Sequence, residues 1–177
     1  DTVSPNPMID LVSSVTGTGF TNSAFVRTVG SGDALEIGRA NTDVTIDFTT
    51  IRSTAPAGGA LAVTGGSRAT IQNSILDGTT SDLRVGSSSS TATLRSSNLR
   101  PLKTTVDPSG TLVSGTGNQA TAPLFAGPTD FHQAAGSPTI DAANPAISPT
   151  TMTDIDGDAR LAGASADIGA DEWSGAP

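Results

Sequence analysis

Three aspartates at alternate positions form the clearest candidate metal site in the sequence. Asp154, Asp156 and Asp158 lie in a stretch that contains a glycine, and carboxylates with this spacing can turn toward one hard cation such as Ca2+. A complete calcium loop also needs a carboxylate at its last position, which is Ser165 here. Two interpretations stay open: a calcium site, or carboxylates that cap turns and pair with Arg160.

A second acidic group could support sugar chemistry. Asp167, Asp171 and Glu172 are close in sequence, and glycosidases hold two carboxylates on either side of the bond that they cleave. His132 is the only histidine of the chain and could serve as a general base. Because the sequence does not give the distances between these groups, we favour structural roles for them and keep catalysis as the alternative.

The elements that must position these residues are short repeated segments. The longer segment places a threonine in the same column of each copy, Thr45, Thr70 and Thr93, at steps of 25 and 23 residues. A shorter segment with two apolar residues precedes each copy. The copies are residues 44–51, 69–76 and 92–99 for the longer segment and 35–37, 61–63 and 83–85 for the shorter one. Two short strands per period predict a solenoid of parallel strands stacked coil on coil.

The repeats also predict which residues face the core. Alternate residues of a strand face the same side, so the inward set of one copy should stack over that of the next. The inward positions are Val44, Ile46 and Phe48, stacked over Ala69, Ile71 and Asn73. We further expect a ladder of polar side chains at a turn, in the column near Asn73 and Asn98, since stacked amides can bond along the axis.

The periodicity divides the chain into two regions. Residues 1–121 are predicted to form the coils, with an irregular first coil over 1–33 and matched repeats over 34–100. Residues 122–177 contain several prolines and lack the repeat. A loop-like stretch of that length needs a structural or functional role, and we predict a C-terminal capping segment that covers an open end or side of the stack.

Composition excludes several classes of partner. The net charge of −8 argues against nucleic acid, whose recognition normally begins with a basic face. No apolar run is long enough to span a membrane, and residues 1–7 show no signal-peptide pattern. If the protein is exported, we expect either that a leader has been removed or that this sequence starts inside a longer chain. The chain has no cysteine, which removes disulfides and thiolate metal sites. Only 3% of the residues are aromatic, which is few for stacking against sugars.

Five short motifs follow one another in a fixed order near the C-terminus. They are PLF at 123–125, DFH at 130–132, GSPTID at 136–141, DIDGDAR at 154–160 and DIGADEW at 167–173. In this order they resemble the closing segment of secreted bacterial right-handed parallel β-helix repeat proteins, with its DPLF, GSPAIDAG, DIDGxPR and DIGAYE pattern. The chain departs from that pattern at Ala122, Ala159 and Asp171. The upstream coils resemble pectate-lyase-like repeats.

The resemblance implies an all-β fold: a right-handed single-stranded parallel β-helix, or solenoid, of about four to five coils with a C-terminal loop cap. Pectate-lyase-type chemistry on such a scaffold uses carboxylates for calcium and an arginine or lysine as base. The basic residues that could fill this role are Arg52, Arg68, Arg84, Arg95 and Lys103. They do not share a column with paired acids, so we interpret them as surface residues.

These observations favour a non-catalytic extracellular or cell-surface module with a structural, adhesive or carbohydrate-interacting role. The alternative is a polysaccharide lyase or glycoside hydrolase on the same scaffold, because one fold serves several functions. We expect an extracellular polysaccharide or another surface protein as partner, no nucleic acid and no membrane span. The sequence does not indicate an oligomeric state.

Overall fold

The fold is all-β, a parallel β-solenoid of about four turns. The computed structural model describes residues 6–12, 17–38, 43–146 and 151–175. Residues 1–5, which belong to the predicted irregular first coil, lie outside the described ranges. Within those ranges the elements are β1 Ile9–Val12, β2 Thr18–Arg27, β3 Leu35–Gly38, β4 Asp43–Ser53, β5 Gly59–Val63, β6 Arg68–Gln72, β7 Ile75–Asp77, β8 Ser81–Val85, β9 Thr91–Arg95, a 3-10 helix Pro101–Lys103, β10 Thr104–Val106 and β11 Thr111–Ser114.

Each turn of the solenoid contributes one strand to each of two parallel sheets. The first sheet has the order β1-β3-β5-β8-β10. The second has the order β11-β9-β6-β4-β2, and β7 also pairs with β4. Successive coils therefore satisfy each other's backbone groups along the stack. The described part of the chain has no helix that is both long and apolar enough to cross a membrane.

The strand register confirms the columns predicted from the repeats. Thr45 lies opposite Thr70, which lies opposite Thr93. The neighbouring column holds Ile46, Ile71 and Leu94, all buried in the main core. In the first sheet the matched apolar columns are Leu35, Leu61 and Leu83, and Ile37, Val63 and Val85. Apolar residues at alternate positions thus fill the interior, while the residues between them face outward.

A left-handed bend in the second sheet changes which residues face the core. Asn22, Phe48, Asn73 and Ser96 have φ values of 48°, 44°, 47° and 45° and occupy the same position in successive turns. The bend reverses the alternation, so Phe48 points away from the main core and packs in a second cluster that includes Ile168. Phe48 lies opposite Asn73 as predicted, but the prediction that it faces the solenoid interior is wrong. Val44 and Ile46 face it as predicted.

A polar ladder does follow the bend, but hydroxyl groups build it. Thr49 N donates to Ser74 Oγ at 3.1 Å, and Ser74 N donates to Ser97 Oγ at 3.3 Å. Asn118 Oδ1 accepts from Ser97 N at 3.0 Å and ends the series. Asn73 instead donates from its side chain to Asp47. The ladder was therefore predicted near the right turn but with the wrong side chains. The bend directs Ser74, the residue after Asn73, toward the interior, so its hydroxyl group takes part in the ladder.

The first turn is more regular than its sequence predicts. β1 pairs in register with β3, and β2 pairs with β4 on both sides of Asn22. Phe20, opposite Ile46, contacts the main core. Columns in this turn are hard to recognise because Gly19 replaces the repeated threonine opposite Thr45. Residues 13–16 lie outside the described residues, as do 39–42, which belong to a predicted turn.

The C-terminal segment packs along the side of the stack. Gly169 N donates to Asn73 O at 2.8 Å, and Ala170 N donates to Thr50 Oγ1 at 3.0 Å. Asn144 N donates to Asn73 Oδ1 at 3.0 Å. The sequence predicted that the C-terminal segment covers either an open end or a side of the stack. These contacts place it on the side, where it covers the left-handed bend. The predicted division between 121 and 122 stays a prediction.

Candidate functional site

The aspartates of the predicted calcium loop have three different environments. Asp154 is buried, and its Oδ1 accepts hydrogen bonds from Asp156 N and Asp158 N, both at 2.9 Å. Its Oδ2 accepts from Glu172 N at 3.1 Å. Asp154 therefore fixes the shape of the loop. Asp156 is exposed and lies beside His132, whereas Asp158 is exposed and does not contact His132. The structure brings only one of the three aspartates, Asp156, to a group of metal-ligating atoms.

Main-chain amides donate hydrogen bonds to two of the carboxylates that the sequence suggested for glycoside hydrolysis. Asp167 Oδ1 accepts from Asp141 N at 2.7 Å, and its Oδ2 accepts from Trp173 N at 2.8 Å. Glu172 accepts from Ala162 N at 3.0 Å and from Asp167 N at 2.8 Å. Asp167 and Glu172 are 1% and 3% exposed. Their burial and their main-chain hydrogen bonds favour structural roles for both carboxylates.

Burial shifts the acid–base behaviour of these carboxyl groups. Desolvation raises the pKa of Asp167 to about 6, although Trp173 N and Asp141 N donate to it and favour the charged form. Desolvation likewise raises the pKa of Glu172 to about 7. Such shifts occur in catalytic sites and also in buried structural networks. Here most of the contacts are to main-chain amides, and the Gln133 side chain adds one more to Asp167, which favours the structural case.

One group of side chains in the described parts of the chain could hold a metal ion. His132, Asp156 and Asp171 each offer one ligand atom, and these atoms all lie within 4.8 Å of one another. His132 Nε2 is 2.9 Å from Asp156 Oδ2. Asp171 is buried at the base of the group, and Gln133 N donates to its Oδ2 at 2.7 Å. Burial raises the pKa of Asp171.

His132 is oriented by a carboxylate on its other side. Asp130 Oδ1 accepts from the backbone N of His132 at 3.0 Å and contacts the ring Nδ1. Desolvation lowers the pKa of His132, but the hydrogen bond and charge of Asp130, with the charges of Asp156 and Asp171, raise it above its ordinary value overall. The hydrogen bond from His132 N lowers the pKa of Asp130.

Arg160 is buried against main-chain carbonyl groups. Nη1 donates to Gly169 O at 3.0 Å, and Nη2 donates to Ala170 O at 2.6 Å. Its guanidinium carbon lies 4.8 Å from the centre of the Phe48 ring. Among the residues that the structure describes, Arg160 makes no ion pair with Asp154, Asp156 or Asp158. The predicted pairing of Arg160 with these carboxylates is wrong, because its guanidinium packs between the C-terminal segment and the solenoid.

The other candidate bases have structural contacts. Arg52 donates to Asp77 Oδ2 at 3.2 Å and to the carbonyl of Gly127, and it lies over the ring of Phe125. Lys103 Nζ donates to two main-chain carbonyls at 2.9 Å. Arg68 and Arg84 form ion pairs with Asp43 and Asp33, and Arg95 is exposed at the end of β9. These cations are spread over several surfaces and do not converge on one carboxylate pair.

The outward face of the second sheet is polar. Thr45, Thr70 and Thr93 form its central column. On one side Arg68 Nη1 lies 3.7 Å from Asp43 Oδ1, and on the other Gln72 Nε2 donates to Asp47 Oδ2 at 3.0 Å. The threonine column and the Asp43–Arg68 pair border a groove of about 260 Å³. The outward face of the second sheet therefore presents hydroxyl, amide and charged groups.

Sequence reasoning missed two residues of the C-terminal network. Asp130 orients His132, and the spacing of two residues between them could have indicated this contact. Gln133 is buried, and its side-chain amide donates to Asp167 Oδ2 at 3.0 Å while its backbone amide donates to Asp171. A glutamine next to the only histidine carries no signal of burial, because glutamine is usually exposed.

No family model, no curated protein and no solved structure matches this chain. The resemblance to secreted β-helix repeat proteins therefore depends on the five C-terminal motifs alone. The parallel β-solenoid itself is established by the strand order and register.

Proposed function

We propose that the chain is a non-catalytic extracellular or cell-surface β-solenoid module with an adhesive, carbohydrate-interacting role. The observation that carries this proposal is the environment of the acidic residues. Asp154, Asp167 and Glu172 are buried, and each accepts two or more hydrogen bonds from main-chain amides. A general acid or nucleophile must reach the bond that is cleaved, and burial among main-chain hydrogen bonds supports structural roles for these groups instead.

The surface that best suits a partner is the outward face of the second sheet. Its columns present hydroxyl groups of Thr45, Thr70 and Thr93 between the Asp43–Arg68 and Asp47–Gln72 pairs. Hydroxyl, amide and charged groups at regular spacing can exchange hydrogen bonds with the hydroxyls of an extended polysaccharide. The contacts would be many and individually weak.

The scarcity of aromatic residues supports weak, distributed binding. Trp173 is the only tryptophan, the chain has no tyrosine, and Trp173 lies in the C-terminal segment, away from this face. Aromatic rings supply much of the binding energy in tight sites. We therefore expect affinity for a repeating polymer, where many copies of a weak contact add up, rather than for a short oligosaccharide.

An extracellular location is part of the proposal. The low charged fraction of 15%, the abundant hydroxyl side chains and the motifs shared with secreted β-helix repeat proteins support it. Fractionation of cells that express the full natural protein would test this location.

Incubation with acidic polysaccharides tests the non-catalytic part. We expect no unsaturated product absorbance and no new reducing ends, with or without Ca2+. Turnover above that of a heat-unfolded sample would overturn the proposal and favour the lyase or hydrolase alternative.

Retention on immobilised polysaccharides tests the binding part. We expect the Thr70→Arg variant, which places a long cation in the centre of the face, to lose retention. Thr105→Arg makes the same change at an exposed position of the first sheet and should bind as the unmodified protein does. Equal retention of both variants would remove the second sheet as the binding face.

A further inference from the structure

We propose that His132, Asp156 and Asp171 form a binding site for a divalent first-row transition metal ion such as Zn2+. Their ligand atoms all lie within 4.8 Å of one another, and His132 Nε2 is already 2.9 Å from Asp156 Oδ2. Zinc ligands at about 2.0–2.2 Å from the ion are separated by somewhat more than 3 Å, so small rotations bring the three atoms to suitable positions. The inference does not depend on the proposed function.

Asp171 provides a buried carboxylate that faces the group. It is 6% exposed, and the described residues donate one hydrogen bond to its side chain, from Gln133 N to Oδ2. Oδ1 therefore keeps its capacity to bind a cation. Because Oδ1 is not one of the described buried atoms that lack a hydrogen-bond partner, it is open to solvent, and an ion can reach it.

Asp130 fixes the direction of the imidazole. Metal-bound histidines commonly direct their second ring nitrogen to a carboxylate, which sets the tautomer and increases the basicity of the ligand nitrogen. Asp130 contacts Nδ1 in this way and also accepts from His132 N at 3.0 Å. Arg52, anchored in β4, donates to Gly127 O and Asp130 O, so the turn that carries His132 is attached to the solenoid.

The donor set selects the class of metal. Imidazole with carboxylates suits zinc and its neighbours, whereas calcium prefers six or more oxygen ligands. Three protein ligands leave a fourth position for water. On binding, the ion takes the Nε2 lone pair of His132, and any proton on Nε2 is released to solvent. No redox step is involved.

The ion would join three separate parts of the C-terminal segment. His132 lies in the turn after Phe125, Asp156 lies in the exposed loop that Asp154 organises, and Asp171 lies where the chain packs against the bend. Because each part is held to the others mainly by hydrogen bonds, one ion that binds all three would stabilise the folded segment by mass action.

Zinc titration of the metal-free protein, followed by calorimetry and by thermal melting, tests the site. We expect one saturable Zn2+ per chain and a melting temperature that rises by several degrees at saturation. Asp156→Asn should weaken Zn2+ binding by about tenfold or more because it removes a charged ligand. Asp158→Asn makes the same change two residues away, at an exposed position outside the group, and should bind Zn2+ normally.

Two further measurements distinguish this site from its alternatives. Co2+ bound at His132 should give visible absorption that the His132→Ala variant lacks, and circular dichroism of each variant checks that it folds. Ca2+ at the same concentration should not raise the melting temperature. Stabilisation by Ca2+ that both Asp156→Asn and Asp158→Asn abolish would assign the ion to the 154–158 loop and overturn the proposal. Absence of saturable Zn2+ binding would also overturn it.

Discussion

Arg160 Nη2 donates a 2.7 Å hydrogen bond to Asn22 Oδ1 and thereby connects the C-terminal segment to β2, 138 residues earlier in the chain. The same guanidinium donates to the carbonyls of Gly169 and Ala170 and lies over the ring of Phe48. Asn22 and Phe48 occupy the same position of the left-handed bend in two adjacent turns of the solenoid. One buried cation therefore ties the segment to two neighbouring turns of the solenoid.

Replacement of Arg160 should loosen this junction. Arg160→Met keeps much of the side-chain volume but leaves Asn22 Oδ1 and buried carbonyls without their donor, and each unsatisfied group costs about 1–3 kcal/mol. We expect the free energy of unfolding in urea to fall by roughly 3–5 kcal/mol. Arg68→Met is the control, since its ion pair with Asp43 is more than half exposed and should be worth less than about 1 kcal/mol. Equal effects would contradict the role of Arg160.

The repeat columns could be predicted because stacking puts equivalent residues of successive turns in contact. Thr45, Thr70 and Thr93 had to align once the strands were parallel, and apolar neighbours had to follow them inward. The orientation of Phe48 could not be predicted in the same way. It depends on a left-handed backbone at a non-glycine residue, and alternation reverses there without any change in composition.

The candidate metal group was less accessible from sequence. His132 and Asp171 are 39 positions apart in a stretch without repeats, so no period relates them. The alternating aspartates gave a clear pattern, but the structure uses Asp154 to accept main-chain hydrogen bonds and leaves Asp158 in solvent. Long-range contacts between irregular segments depend on side-chain packing, which local spacing does not encode.

Phe48 should contribute strongly to the attachment of the C-terminal segment. It is fully buried among Ile75, Ala166 and Ile168, although its left-handed backbone is unfavourable for an aromatic residue. We expect Phe48→Ala to lower the free energy of unfolding by about 3–5 kcal/mol. Leu102→Ala, at a fully exposed position, should change it by less than about 0.5 kcal/mol. A small effect at Phe48 would contradict this contribution, because alanine keeps the β-carbon and so does not relieve the backbone strain.

The hydroxyl ladder can be tested at its centre. Ser74 Oγ accepts from Thr49 N in a buried contact and donates to Gln72 O in a partly buried one. Ser74→Ala leaves these groups without a partner, so we expect a loss of about 1–3 kcal/mol in denaturant unfolding. The same substitution at Ser31, which is exposed, should have little effect. If the two variants unfold alike, water replaces the missing hydroxyl at the bend.

Burial of Asp167 should make stability depend on pH. Because desolvation raises its pKa to about 6 in the fold, from 3.8 when unperturbed, the folded chain binds more protons than the unfolded chain between these values. Asp167 should therefore contribute a fall in stability of at most about 3 kcal/mol as pH rises from about 4 to about 7, and Glu172, whose pKa burial raises to about 7, adds to this fall. Urea unfolding at several pH values checks this. Asp167→Asn should make the pH profile less steep, and an unchanged profile would assign the dependence to other groups.

Gly169 is the position where the C-terminal segment comes closest to the solenoid. Its φ is +116°, and a β-carbon there would lie 2.8 Å from Ile75 Cδ1 and 3.0 Å from Thr50 Oγ1. Gly136 has a φ of +80° but open space around it. Both positions have a positive φ, so alanine is strained at each of them. The difference in stability between Gly169→Ala and Gly136→Ala therefore measures the effect of the close contact at Gly169.

Gly136→Ala should lower the free energy of unfolding by about 1 kcal/mol through backbone strain. Gly169→Ala should cost roughly 1–3 kcal/mol more, because the methyl group pushes the segment away from β7 and weakens the hydrogen bonds from Gly169 N to Asn73 O and from Ala170 N to Thr50 Oγ1. Limited proteolysis should then cut the C-terminal segment first in Gly169→Ala and leave the coils intact. Similar stability and cleavage of the two variants would show that this contact does not hold the segment on the side of the stack.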